Sequence, residues 1–234
     1  MVFSAEETVL VISGGIGSGE LDRTAVPEAG HVIAADSGAR TAFELGLRVD
    51  ELIGDLDSAP ASVRDWVRDS GGHVERYPEA KDATDLELAL AAAAARTPPP
   101  RRIVVLGSGG GRLDHLLGGA LLLAASTWAG ADATRVPVIE ARLGRATVTV
   151  IREHAELSGT PGEIVSVLPA GGPARGVTLS GLLYPLHDAF LEPGTTLGTS
   201  NEFTAARATV DVKEGVVLAI QPGVMGTHYQ RGLV

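Results

Sequence analysis

The sequence predicts an α/β parallel-sheet N-terminal domain followed by a small antiparallel β-sandwich or barrel. Three observations carry this. In the first half, short apolar runs alternate with helical patterns across short connections, the mark of a parallel sheet covered on both faces. Near Pro137 the pattern changes to short β-branched or alternating runs set between Gly and Pro turns, as in all-β domains. Aromatic residues are only 4% of the chain while Gly numbers 30, so the core must be built mostly from Val, Leu, Ile and Ala. The expected domains are 1–136 and 137–234 of the 234 residues, a length with room for one large core or two smaller ones.

The elements follow in order. "TVLVIS" (8–13) reads as a strand running into the glycine stretch "GGIGSGE", and "HVIAAD" (31–36) as a second strand ending in an acid. "GARTAFELG" is a short helix stopped by Gly46. "DELIGDLDS" is a third strand ending in acids, followed by the helix "PASVRDWVRDSG", with Pro60 in its first turn and Gly71 past its end. "HVERYP" is a fourth strand, "DATDLELALAAAAAR" a strong Ala- and Leu-rich helix, and "RRIVVLG" a fifth strand. A glycine loop then leads into the helix "LDHLLGGALLLAAS". "RTPPPRR" (96–102) is a stiff connector between the Ala-rich helix and the fifth strand, not a domain linker. From Pro137 on, "PVIEARL", "ATVTVIRE", "EIVSVLPA", "ARGVTLS", "ATVDVKEG" and "VVLAIQP" read as strands of the second domain.

Bulk properties exclude several function classes. The net charge of −10 argues against a nucleic-acid backbone as partner. It leaves room for a phosphate ligand carried with a divalent cation. With no cysteine, disulfides and thiolate chemistry are excluded. The start "MVFSAEETVL" is acidic where a signal peptide is basic, and the apolar run near "GGALLLAASTWAG" is too short to span a bilayer. The expectation is a soluble cytoplasmic protein without membrane or nucleic-acid partners.

In a parallel α/β sheet, ligands sit beyond the carboxyl ends of the strands. Four polar clusters fall there: Gly14 to Gly19, Asp36 to Gly38, Asp55 to Ser58, and Gly107 to Asp114. The first fails both the dinucleotide fingerprint, since Glu20 stands where the third glycine belongs, and the P-loop pattern, since no Lys follows Gly19. In "GDLDS", Asp55 and Asp57 are two apart, and in extended backbone such side chains share a side. Two carboxylates that close need water, a donor or a cation between them. Hard oxygen ligands of this kind suit Mg²⁺; a solvated turn before Pro60 is the plain alternative.

Other clusters also carry plain readings. Asp36 or Ser37 serves equally as a helix N-cap. Asp82 and Asp85 in "KDATDLELAL" have the spacing of an N-cap and its partner three residues on, with Lys81 placed to pair with them or reach a phosphate. In "GSGGGRLDH", free N–H groups at a helix start plus Arg112 make a polyphosphate site, while Asp114 and His115 serve as caps or touch a nucleotide. On spacing alone, "GTSNEF" is a turn.

Taken in order, "AADSGA", "GDLDS", "KDATDLELAL", "GGRLDH", "GLLYPL" and "TSNEF" resemble the thiamine pyrophosphokinase family, from about Val9 to Pro222. The resemblance implies a homodimer that moves a pyrophosphoryl group from ATP to the hydroxyl of thiamine with Mg²⁺, giving thiamine diphosphate and AMP. It implies that Asp55, Asp57 and Asp85 gather around the metal and triphosphate, with Asp82 joining them as a catalytic candidate. It implies nucleotide contacts by Asp36, Ser37, Gly38, Ser58, Lys81, Thr84, Arg112, Asp114 and His115. Tyr184, Ser200 and Asn201 are implied in a thiamine pocket at the subunit interface. The chain departs from the family pattern at Ser37, where Gly is common, at Gly119, where Asn is common, and at Tyr184, where Trp is common. A sensor that binds nucleotide and thiamine without turnover, and a transferase acting on another alcohol, remain as alternative readings.

Overall fold

The computed structural model describes residues 3–14, 23, 26–107, 112–129 and 136–226. The chain divides into two compact units, Met1–Leu122 with Ser126–Arg145, and Leu123–Ala125 with Ala146–Val234. The glycine stretches at 15–20 and 108–111 lie outside the described residues.

The first unit holds the strands β1 (Thr8–Ile12), β2 (His31–Ala35), β3 (Glu51–Gly54), β4 (His73–Arg76), β5 (Arg102–Gly107) and β6 (Val138–Leu143), with helices α1 (Gly38–Glu44), α2 (Ala61–Asp69), α3 (Asp85–Ala94) and all but the last residue of α4 (Leu113–Leu123). Its strands are ordered β6-β5-β1-β2-β3-β4, and every adjacent pair is parallel. β1 is fully buried along its length, as a strand covered on both faces must be. Leu10, Ile12, Val32, Ala34, Leu52, Val104 and Leu106 pack with Ala39, Ala42, Val63 and Val67 of α1 and α2. α3 packs on β1, β2 and β3 through Leu90 and the small Ala89 and Ala93, which let the helix sit close to the sheet. The chain turns back between β4 and β5, so β1 lies between β2 and β5. Strand order reverses there, the place where open α/β sheets leave a crevice.

β6 differs from the reading of "PVIEARL" as a strand of the β domain. It runs parallel to β5, Arg102 opposite Val138 through Gly107 opposite Leu143. The alternation of buried Ile139 and Ala141 with the half-buried Glu140 looks like a half-exposed antiparallel strand. Glu140 is instead engaged by Arg102 of β5 at 2.7 Å.

The second unit holds β7 (Ala146–Ile151), β8 (His154–Ser158), β9 (Ile164–Pro169), β10 (Ala174–Ser180), β11 (Leu186–Leu191), β12 (Asn201–Glu202), β13 (Arg207–Asp211) and β14 (Val217–Gln221). They form two antiparallel arrays, β12-β9-β14-β7 and β11-β10-β13-β8. Alternate residues of both meet in one core that includes Val165, Val167, Val177, Leu179, Phe203, Val210 and Val217, as in a sandwich. The α/β-then-β fold class is thus the observed one. No helix among the described residues is long and apolar enough to cross a membrane.

Candidate functional site

Three backbone features bring the acids of the first unit together. β2 and β3 are neighbours, and the Asp36 N–H donates to Ile53 O at 2.8 Å, so the two strand ends are level. Asp36 itself has φ 43°, and Leu56 has φ 64°. Both lie in the left-handed region that non-glycine residues seldom adopt, and such residues cluster where a site needs a particular chain direction. Leu56 points its side chain into the core, while Asp55 before it is half-buried and Asp57 after it is exposed. The two acids therefore converge through a turn and not through the pleat of an extended strand. The Asp57 N–H donates to Asp55 Oδ1 at 3.2 Å to close that turn, and Ser58 Oγ donates to Asp57 Oδ1 at 2.9 Å.

Gly54 makes the convergence possible, and it is the residue that sequence reasoning missed. Its φ is 151°, and a Cβ there would lie 3.0 Å from Asp36 Cβ and 3.2 Å from Asp85 Cγ and Oδ1. Any side chain would push apart the two acids that flank it. The available signal was a glycine placed directly before the first aspartate of a strand end. Gly38 does similar work for α1: a Cβ would sit 2.0 Å from Ile12 O, so glycine lets the helix start close against the end of β1.

Asp36, Asp55 and Asp57 each offer a carboxylate oxygen, and these atoms all lie within 4.8 Å of one another. Lys81 is the internal counter-charge. Its Nζ donates to Asp55 Oδ2 at 3.1 Å and lies 3.0 Å from Asp85 Oδ1, with only 14% of its side chain exposed. The contact to Asp85 is an ion pair without hydrogen-bond direction, and Asp85 Oδ1 is otherwise buried and unpartnered. Asp36 Oδ1 is also buried without a hydrogen-bond partner. A buried orphan carboxylate oxygen beside two more carboxylates is the donor set of a hard cation, so the residues fit magnesium.

The electrostatics agree with this arrangement. Burial raises the pKa of Asp36; the Ser37 N–H opposes it, and the charges of Asp85, Asp55 and Asp57 raise it further. Asp55 moves the other way, held down first by the Asp57 N–H and then by Lys81. Burial alone would lower the pKa of Lys81, but Asp85 and Asp55 outweigh it and raise it. The ammonium thus stays charged between two carboxylates.

The remaining candidates are placed as follows. Ser37 precedes α1 but makes no side-chain capping bond. Thr84, not Asp82, is the N-cap of α3: its hydroxyl accepts from the Glu87 N–H at 3.2 Å. That leaves Asp85 as the first helical residue, aimed at Lys81, and Asp82 exposed outside the cluster. Arg112 grips Asp114 in a forked pair, Nε to Oδ1 at 3.1 Å and Nη2 to Oδ2 at 2.6 Å, which lowers the Asp114 pKa to about 2. His115 is exposed beside them. Among the described residues, no hydrogen bond or ion pair joins Arg112, Asp114 or His115 to the acidic cluster. Gly119 faces Leu86 of α3, 3.4 Å from the position a Cβ would take. In the second unit, Ser200 is exposed with φ 55°, and its N–H donates to Ser166 Oγ at 3.0 Å. Tyr184 is exposed, and Asn201 is buried against its backbone.

Comparisons with known proteins bear on both units. Residues 23–131 match the family model described as thiamin pyrophosphokinase, catalytic domain. Residues 147–217 match thiamin pyrophosphokinase, vitamin B1 binding domain. The chain is 28% identical over 199 residues to the thiamine pyrophosphokinase of Bacillus subtilis (strain 168), covering 81% of this chain and 86% of that protein. The crystal structure of the Bacillus subtilis thiamine pyrophosphokinase is similar with a TM-score of 0.75 at 26% identity, covering 92% of this chain and 98% of that one. The Geobacillus thermodenitrificans thiamin pyrophosphokinase is 30% identical with a TM-score of 0.71, covering 92% and 96% of the two chains. The Candida albicans thiamin pyrophosphokinase shares the fold at 14% identity, with a TM-score of 0.72 over 94% of this chain and 95% of that one. With a matching family model on each unit and a 30% identical relative spanned almost end to end, this chain belongs to the thiamine pyrophosphokinase family.

Proposed function

We propose that the protein transfers a pyrophosphoryl group from ATP to the hydroxyl of thiamine, releasing thiamine diphosphate and AMP, as a magnesium-dependent cytoplasmic enzyme. The observation that carries this reading is the convergence of Asp36, Asp55, Asp57, Lys81 and Asp85 at one sheet edge, in a chain matching both a catalytic and a vitamin B1-binding family model. In the transfer, the thiamine hydroxyl oxygen bonds to the β-phosphorus, and the bond from that phosphorus to the oxygen shared with the α-phosphate breaks. AMP departs with the electron pair. Such reactions need positioning and charge neutralisation more than covalent chemistry.

Asp55, Asp57 and Asp85 are the ligands the family resemblance implies for magnesium, and Asp36 stands beside Asp55 and Asp57 as a further oxygen donor. Bound there, the metal would neutralise triphosphate oxygens and draw charge from the phosphorus under attack. Lys81, poised between Asp55 and Asp85, supplies a second positive charge for the developing phosphate charge. An aspartate not engaged by the cation takes the hydroxyl proton; Asp82 is a further, exposed candidate for that step. Ser37, Gly38, Ser58 and Thr84 line the turns around the acids, and Arg112, Asp114 and His115 open α4; all seven serve as nucleotide contacts in this reading. Tyr184, Ser200 and Asn201 belong to the thiamine site.

The active form in this reading is a homodimer with the thiamine pocket at the subunit interface. Leu113, Leu117 and Leu121, 66%, 56% and 59% exposed, recur every four residues along α4 and support it. Such an apolar stripe is a surface that seeks a partner.

The test is to incubate the protein with Mg-ATP and thiamine and quantify products. AMP and thiamine diphosphate in equal amounts are expected, and chelation of the metal abolishes both. ADP with thiamine monophosphate would replace this reading with simple phosphoryl transfer, and binding of both substrates without product would replace it with a sensor.

A further inference from the structure

Asn201 sits in β12 with its two faces committed to different neighbours. Its backbone pairs with Val165 of β9. Its side chain forms a reciprocal pair with the backbone of Tyr184: Oδ1 accepts from the Tyr184 N–H at 2.9 Å, and Nδ2 donates to Tyr184 O at 2.7 Å. Oδ1 also accepts from the Glu202 N–H at 3.0 Å. The amide orientation is forced, because a backbone N–H must meet an oxygen and a backbone carbonyl must meet an N–H. Both lone pairs of Oδ1 are therefore used, and the residue is 1% exposed.

The neighbouring bonds show what this pairing accomplishes. Leu182 bridges Phe203 in antiparallel fashion, and the Leu183 N–H donates to Glu202 O at 2.8 Å. One residue further along, β12 is turned away by Ser200 at φ 55°. The Asn201 side chain supplies the next rung in place of backbone. It thereby ties the segment carrying Tyr184 to β12, while Tyr184 itself stays 51% exposed.

We infer that Asn201 is a positioning residue that does not touch the substrate: its side-chain amide splints the Tyr184 backbone and so holds the Tyr184 ring at the surface for a flat aromatic cation. The ring of such a ligand gains more from an aromatic face that is already fixed, because less freedom is lost on binding. This rests on the reading of Tyr184 as part of the thiamine site.

The experiment is a double-mutant cycle on the full chain, with steady-state kinetics in thiamine and in Mg-ATP for Asn201→Ala, Tyr184→Ala and the double variant. Each single change is expected to raise the KM for thiamine about tenfold, leaving kcat and the KM for Mg-ATP within about twofold, the mark of lost ground-state binding. The double variant should be no worse than the more impaired single one, since Asn201 acts through Tyr184. Multiplied effects, of about a hundredfold, would give Asn201 its own contact with the ligand and overturn the inference. Amide exchange at Tyr184 gives an independent readout. It accelerates in Asn201→Ala, and more mildly in Asn201→Asp, which keeps the acceptor but loses the donor; unchanged protection overturns the splint. Should the wild type fail to turn over thiamine, the function reading falls, and amide exchange alone decides the splint.

Discussion

Lys81 Nζ donates to Asp55 Oδ2 at 3.1 Å, an ammonium held within the carboxylate cluster it neutralises. The same nitrogen lies 3.0 Å from Asp85 Oδ1, so one cation on the approach to α3 ties that helix to the turn after β3. A divalent cation entering among these acids meets a charge already in residence.

Lys81→Met removes that charge without removing the stem. In chelator, the variant is expected to melt below the wild type, because Asp36, Asp55, Asp57 and Asp85 repel one another without compensation. Added Mg²⁺ should raise its melting temperature more than that of the wild type, while turnover falls roughly 10²-fold, the cost of losing one aimed positive charge. Equal responses to Mg²⁺ in the two proteins would show that Lys81 and the cation do not share these acids.

Gly54→Ala tests the close approach at the end of β3. The added methyl meets Asp36 and Asp85 and must also adopt φ 151°. A stability loss of about 1–3 kcal/mol in denaturant titration is expected from such strain. Turnover should drop further than stability, since the acids are spread apart. Normal activity in a folded variant would remove Gly54 from the site.

Asp36→Asn should stabilise the protein while impairing it. Asp36 is 9% exposed, has an orphan oxygen and faces three other aspartates. Replacing its charge with an amide relieves repulsion and desolvation, a gain of order 1 kcal/mol near neutral pH in chelator. Turnover is expected to fall at the same time, as when strain and charge are stored for function. A variant destabilised at neutral pH would mean that the charge is compensated in solution.

Asp114 provides a pH signature. Arg112 holds its pKa at about 2, below the ordinary 3.8. A depressed carboxylate contributes stability above its unfolded pKa and loses it as pH falls, here between about 3.8 and about 2. Arg112→Ala should return Asp114 to the ordinary range in a carboxyl NMR titration. An Asp114 still titrating near 2 would assign the shift to the helix start instead.

Much of the fold was legible because local pattern encodes burial. β1 and β5 are continuous apolar runs, the pattern of a strand covered on both faces. Gly46 with φ 64° just past α1 was readable from chain chemistry alone. β8 and β11 were not legible. They are the two outer strands of their four-stranded array, exposed or half-buried at every position but one each. A strand with so little to bury leaves no alternation to read.

The sequence by itself determined the order of the acidic loops, the change from α/β to β architecture, and the family to which the residues point. Tertiary structure decided the rest of the site. That Asp36 joins Asp55 and Asp57, that the turn at Leu56 rather than a strand pleat brings the pair together, and that Lys81 lands between Asp55 and Asp85 depend on which strands are neighbours. Periodicity fixes which face of a segment is buried, but the distance between two loops remote in sequence is set by strand order and register, which no local pattern contains.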